Sequence, residues 1–262
     1  MSKIVLFLLA VISFDCLADF KCEVDLQQGI LVNEHQIRVM QDDRTLYQIN
    51  GDNQLIVKGD WITLNEEQTA QLKELSSGIH YSMPKMVLLA TEGVDLAIST
   101  VENVYLGLVG EEHTSYQRLQ SALKRVRRKV GKKFYHAEDY YYIGPRSLEN
   151  VDMLVDARME QEIEHAIDTS LGGILSAIGG LTSDGDSKME KRMEDLSVRL
   201  ETMGAEIERQ VGPKAQTLRK KAKWFCEKMK RLDVVEDQLR DSIPQLQPYN
   251  VIVTGELAEN GD

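Results

Sequence analysis

The sequence predicts an α+β fold: a small N-terminal antiparallel β-meander packed on a mainly helical body with a long antiparallel helical hairpin. Three observations carry this. Residues 20–64 hold short runs rich in Val, Ile and Tyr, separated by turn residues. From residue 65 onward, apolar residues recur mostly at steps of three and four, the period of one helix face. The stretch Met189–Leu239 keeps that stripe throughout, from Met193, Leu196, Leu200, Met203 and Ile207 to Phe225, Met229 and Leu232.

The first 18 residues read as a signal peptide. Lys3 is a short basic start, Ile4–Phe14 is an apolar run too short to span a bilayer, and Cys16-Leu17-Ala18 offers small residues for cleavage after Ala18. A retained signal anchor is the alternative. The expected location is the periplasm. Cleavage removes one Lys and one Asp, so the mature chain keeps the net charge of -11. That charge disfavours general nucleic-acid affinity. Cleavage also removes Cys16 and leaves Cys22 and Cys226. An exported chain with two cysteines pairs them more often than not. A pair of free thiols is the other reading.

Residues 19–64 form the expected meander. Its strands are Ile30–Val32, Ile37–Met40, Thr45–Ile49, Leu55–Val57 and Trp61–Leu64, with turns at Asn33-Glu34, Asp42-Asp43, Asn50–Asn53 and Lys58–Asp60. Residues 65–132 form a three-helix segment. Asn65 and Gln68 have capping-box spacing, so a helix starts there and runs to about Ser82. Pro84 breaks it, and a second, very apolar helix runs to about Leu108. Glu92, Asp95 and Glu102 show that this second helix is not a membrane span.

The third helix, about Glu112–Lys132, ends in a basic cluster of Lys124, Arg125, Arg127, Arg128, Lys129, Lys132 and Lys133. It is either a solvated face that complements the helix C-terminus or a patch for anionic membrane or lipopolysaccharide groups. Residues 133–145 read as one aromatic strand, Phe134–Ile143, ended by Gly144-Pro145. Its four tyrosines suit an edge or core strand, or a binding surface. Residues 146–241 read as a long αα-hairpin. A helix over 147–178, with Gly172-Gly173 in its stripe, would lie against the Met189–Leu239 helix. Pro213 should kink that second helix. Residues 242–262 form a tail with a short strand near Tyr249–Thr254. Residues 19–241 are expected to make one domain.

The order of Cys22, the meander, Leu64 to Gln68, Pro84, Gly172-Gly173-Ile174-Leu175 and Cys226 resembles the YggN-like family of uncharacterised periplasmic proteins from gammaproteobacteria. The resemblance implies a location and a fold, and carries over the two cysteines, but it implies no activity. The aromatic stretch Phe134–Ile143 and the acidic C-terminal tail depart from it.

Catalytic signatures are not apparent. There is no phosphate-binding Gly-rich loop, no His-Glu-x-x-His and no Gly-x-Ser-x-Gly. Five scattered histidines do not suggest a metal site, and no cofactor is expected. The expectation is therefore a non-enzymatic envelope interaction or scaffold protein, whose Met-rich stripe meets an unknown envelope protein. One alternative is peripheral binding to an anionic membrane surface through Lys124–Lys133. The other is an envelope hydrolase assembled from His136, Asp139 and Glu112.

Overall fold

The computed structural model describes residues 24–109, 114–147 and 186–254. Nine strands and three helices lie within them. The strands are β1 Val24–Leu26, β2 Gly29–Val32, β3 Gln36–Gln41, β4 Arg44–Asn50, β5 Gln54–Val57, β6 Asp60–Ile62, β7 Phe134–Ala137, β8 Tyr140–Ile143 and β9 Ile252–Thr254. The helices are α1 Glu66–Val109, α2 Thr114–Lys133 and α3 Asp186–Ser242. The fold is mixed α+β, as the pattern of elements implies.

Strands β2–β6 form the expected meander, and the turn chemistry explains it. Asp42 and Asp43 both take positive φ (48° and 62°), which a two-residue hairpin loop of the favoured twist requires. Lys58 and Gly59 do the same between β5 and β6 (51° and 96°). The aromatic stretch is not one strand but a hairpin, β7–β8, turning at Glu138 (φ 54°). It extends the sheet on the β2 side, in the order β6-β5-β4-β3-β2-β8-β7, with each pair antiparallel. A separate two-stranded sheet pairs β1 with β9, so the terminal strand finds its partner at the start of the described chain.

Helix α1 corrects the expected break at Pro84, which lies inside one continuous helix of 44 residues. A proline there removes one backbone bond. Burial outweighs that cost: Leu72, Leu75, Ile79 and Met83 before the proline, and Met86 and Val87 after it, all face the same core. The capping box is formed as the spacing demands. Asn65 Oδ1 accepts from Gln68 N at 2.8 Å, and Gln68 Oε1 accepts from Asn65 N at 3.0 Å.

Helix α3 is long, as its stripe demands, and it contains Pro213. Residues 148–185, which hold Gly172-Gly173 and the expected first arm of the hairpin, lie outside the described residues. Among the described residues, the partner of α3 is α1, running antiparallel: Gly78 meets Leu232, Tyr81 meets Trp224, and Gly107 meets Met203. The core lies between this helix pair and the inner face of the sheet, where Ile30, Ile37, Ile49, Leu55 and Ile143 are buried. A satellite cluster of Ile98, Tyr105, Leu119 and Leu123 joins α1 to α2, with the Tyr105 and Tyr116 rings stacked at 5.7 Å.

Gly78 permits the close approach of α1 and α3. A Cβ there would clash with Leu232 Cδ2, and Leu232 is itself buried. Overpacking costs about 1–3 kcal/mol, more than the ~1 kcal/mol that alanine gains in helix propensity. Gly78→Ala should therefore lower the urea midpoint. Gly93→Ala, in the same helix but with nothing within 4 Å of the added Cβ, should raise it.

Candidate functional site

One face of the seven-stranded sheet packs on the core. The register places a single row of side chains straight across the other. Tyr135 pairs with Tyr142, Tyr142 with Leu31, Leu31 with Arg38, Arg38 with Gln48, Gln48 with Ile56, and Ile56 with Trp61. Alternation along each strand keeps these positions off the buried face. Seven strands at about 4.8 Å spacing make the row roughly 29 Å long. It is aromatic at both ends: Trp61 is 60% exposed and Tyr135 is 51% exposed. Tyr140 lies on the same face.

Between its aromatic ends the row holds Leu31, Arg38, Gln48 and Ile56, with Arg38 its one charge. Arg38 Nε donates to Gln36 Oε1 at 2.5 Å, and Gln36 Nε2 donates to Asn50 Oδ1 at 2.8 Å. These bonds fix the amides across β3 and β4. Gln48 and Gln54 share the face.

Near β7 the face deepens into a cleft of about 770 Å³ between the β3–β4 turn and the β7–β8 hairpin. Such a volume suits a small ligand or one end of a longer one. Its floor depends on a glycine. A Cβ at Gly29 would meet Tyr142 Oη at 2.7 Å, so only glycine lets the ring lie over β2. Burial, helped by the Asp43 carboxylate, raises the Tyr142 phenol above its ordinary value of 10. Gln28 also lines the cleft, and its side-chain carbonyl is shielded from solvent with no partner among the described residues. Lys133 and Arg146 close the rim, with Lys133 Nζ donating to Pro145 O at 2.5 Å.

The basic cluster lies on α2, but it is not one surface. Arg127 Nε is 2.9 Å from Asp95 Oδ1 of α1, and Lys133 is committed to Pro145. Arg125 and Lys129 are half-buried and also engaged. Lys124, Arg128 and Lys132, four residues apart, form the exposed stripe that remains. The His136, Asp139 and Glu112 set is not assembled within the described residues. Glu112 lies outside them, and the His136 ring stacks on Tyr141 at 4.3 Å with Nε2 2.9 Å from Glu138 O. Cys226 is buried on α3 and is not free, while Cys22 lies outside the described residues.

Among the described residues, the most perturbed carboxyl is away from the sheet face. Glu236 of α3 is 3% exposed. Its two oxygens accept from Val251 N at 3.0 Å and Ile252 N at 2.7 Å, and Tyr47 shares the site. Burial pushes it up to about 8, against the pull of those two donors and of Arg240. Its role is to seat β9. Nearby, Thr254 Oγ1 donates to Asp233 Oδ2 at 2.6 Å.

The aromatic stretch was visible in the sequence, but only as one strand; neither its fold into a hairpin nor its place beside β2 was legible, so the row across the sheet could not be read there. Gln28, Arg38 and Trp61 escaped for the same reason. The signal that could have found them is alternation: Tyr140 and Tyr142 share one parity, as do Gln36, Arg38 and Met40.

A model of a family described as a protein of unknown function (DUF2884) matches residues 22–252. No curated protein and no solved structure matches the chain.

Proposed function

Because the chain belongs to DUF2884, a family of unknown function, we propose its role from its surface chemistry: a non-enzymatic binding protein of the cell envelope that holds a glycan chain on its open sheet face. The observation that carries this is the continuous row from Tyr135 to Trp61. Sugar hydroxyls both donate and accept, and side-chain amides do the same, so Gln28, Gln48, Asn50 and Gln54 match them without charge. The flat C–H faces of sugar rings need apolar surfaces, which Tyr135, Tyr142 and Trp61 provide. Amides and rings hold a ligand without moving protons, which favours binding over catalysis. A row of roughly 29 Å fits an oligosaccharide better than a monosaccharide.

The export signal expected in residues 1–18 supports an envelope setting for this reading, where peptidoglycan is the abundant glycan. The Cys22–Cys226 bridge belongs to the same reading.

The test is co-sedimentation with purified peptidoglycan sacculi. The protein should pellet with them, and Trp61→Ala and Tyr135→Ala should each weaken binding roughly tenfold, as expected for loss of one ring contact. Both side chains are exposed, so neither change should unfold the protein. Failure to pellet, or equal binding by both variants and the parent, would overturn the reading.

A further inference from the structure

A second surface lies on the helix pair, independent of the sheet face. Between Lys214 and Arg231, eight residues are Lys or Arg and only Glu227 is acidic, in a chain whose net charge is -11. Along α3, Lys220, Trp224, Lys228 and Arg231 follow at steps of four, four and three, so they share one stripe with Lys221 beside it. Among the described residues, Lys220, Lys221, Lys223 and Lys228 have no carboxylate partner.

Helix α1 supplies the matching stripe of Tyr81, Lys85 and Leu88. Tyr81 is 50% exposed and Trp224 is 43% exposed. Their rings meet edge to face at 5.6 Å, and Trp224 is braced from below by Phe225 at 4.9 Å. Lys85 Nζ sits 3.6 Å from the centre of the Tyr81 ring. The result is an aromatic ridge flanked on α3 by lysines that have no carboxylate partner among the described residues.

We propose that this ridge docks the protein on an anionic phospholipid bilayer, with Trp224 and Tyr81 at headgroup depth and the lysines against lipid phosphates. Tryptophan and tyrosine suit that depth because each joins an apolar ring to a polar tip. Lysine stems lie along apolar surface while their ammonium groups reach the phosphates. The acidity of the rest of the chain does not oppose docking. The Debye length is about 8 Å at physiological salt, so charges on distant faces are screened from the membrane surface. Attachment is to the surface: no described helix is long and apolar enough to cross a membrane. A ridge on two helices, rather than a groove, favours a flat surface over a peptide.

The experiment uses the protein purified from an exporting host. It is mixed with vesicles of phosphatidylcholine alone, or of phosphatidylcholine and phosphatidylglycerol in equal parts. Binding should require phosphatidylglycerol and be reversed by salt. In the Trp61→Phe variant, where Trp224 is the remaining tryptophan, emission should shift to the blue on binding. Combining Lys220→Glu, Lys221→Glu and Lys223→Glu should cut partitioning at least about a hundredfold. These side chains are exposed, so far-ultraviolet circular dichroism should be unchanged. Lys124→Glu with Arg128→Glu on α2 should leave partitioning nearly intact. Equal binding to both vesicle types, an unshifted Trp224 spectrum, full binding by the triple variant, or loss caused by the α2 pair instead would each overturn the proposal.

Discussion

Replacing Glu236 with alanine should destabilise the protein by about 3–5 kcal/mol, because it strands two buried backbone donors at once. Val251 N and Ile252 N have both been removed from solvent, and Glu236 holds them with one oxygen each. Glu236→Gln should not rescue. Its amide nitrogen cannot accept, so one donor would face another. A protonated carboxyl differs, since its hydroxyl oxygen still accepts.

The same residue makes stability depend on pH in an unusual direction. Folded Glu236 keeps its proton up to about pH 8, against an ordinary value of 4.5. Between those values the folded state binds more protons than the unfolded state, so stability falls as pH rises. The contribution is fully present below pH 4.5 and is lost as pH passes 8. A difference of 3.5 pH units at 1.36 kcal/mol each sets a scale of about 5 kcal/mol. Urea titrations at pH 5 and pH 9 should show the parent weaker at pH 9, and Glu236→Gln should flatten that slope. A parallel slope in the variant would assign the pH dependence elsewhere.

Local pattern made the meander legible. Asp42-Asp43 and Lys58-Gly59 specify tight turns by chemistry, and the runs between them alternate. Strand β1 was missed because Val24-Asp25-Leu26 is short and its partner β9 lies at the far end of the chain. Pro84 misled because a local rule about backbone bonds was outweighed by side chains packing on both sides of it. The apolar stripe of α3 was legible, but its packing against α1 was not. Periodicity shows that a face is buried without showing which helix buries it. The candidate site suffered most from this limit. The row from Tyr135 to Trp61 exists only once β8 lies beside β2, and that pairing is non-local. The basic run ending at Arg231 is plain in the sequence, on the side of α3 away from its apolar stripe.

Reducing the proposed Cys22–Cys226 bridge should lower stability by about 5 kcal/mol, the chain-entropy ceiling for a loop of roughly 200 residues. The course of β1 points the chain toward Cys226. Leu26 pairs with Ile252, which Glu236 holds, and Val24 pairs with Thr254, which Asp233 holds. Moving back along β1 therefore moves down α3 toward its N-terminus and toward Cys226. From Asp233 to Cys226 is two helical turns, about 10.5 Å. Cys22→Ser and Cys226→Ser should each reproduce the effect of reduction, and the double variant should add little, because each single change already opens the loop. Loss of the bridge should also loosen the anchorage of β1 and β9 beside Glu236, so the reduced protein should exchange the Val251 and Ile252 amide protons faster than the core strands β3 and β4. Equal thiol titres of the denatured protein before and after reduction would show that no bridge forms.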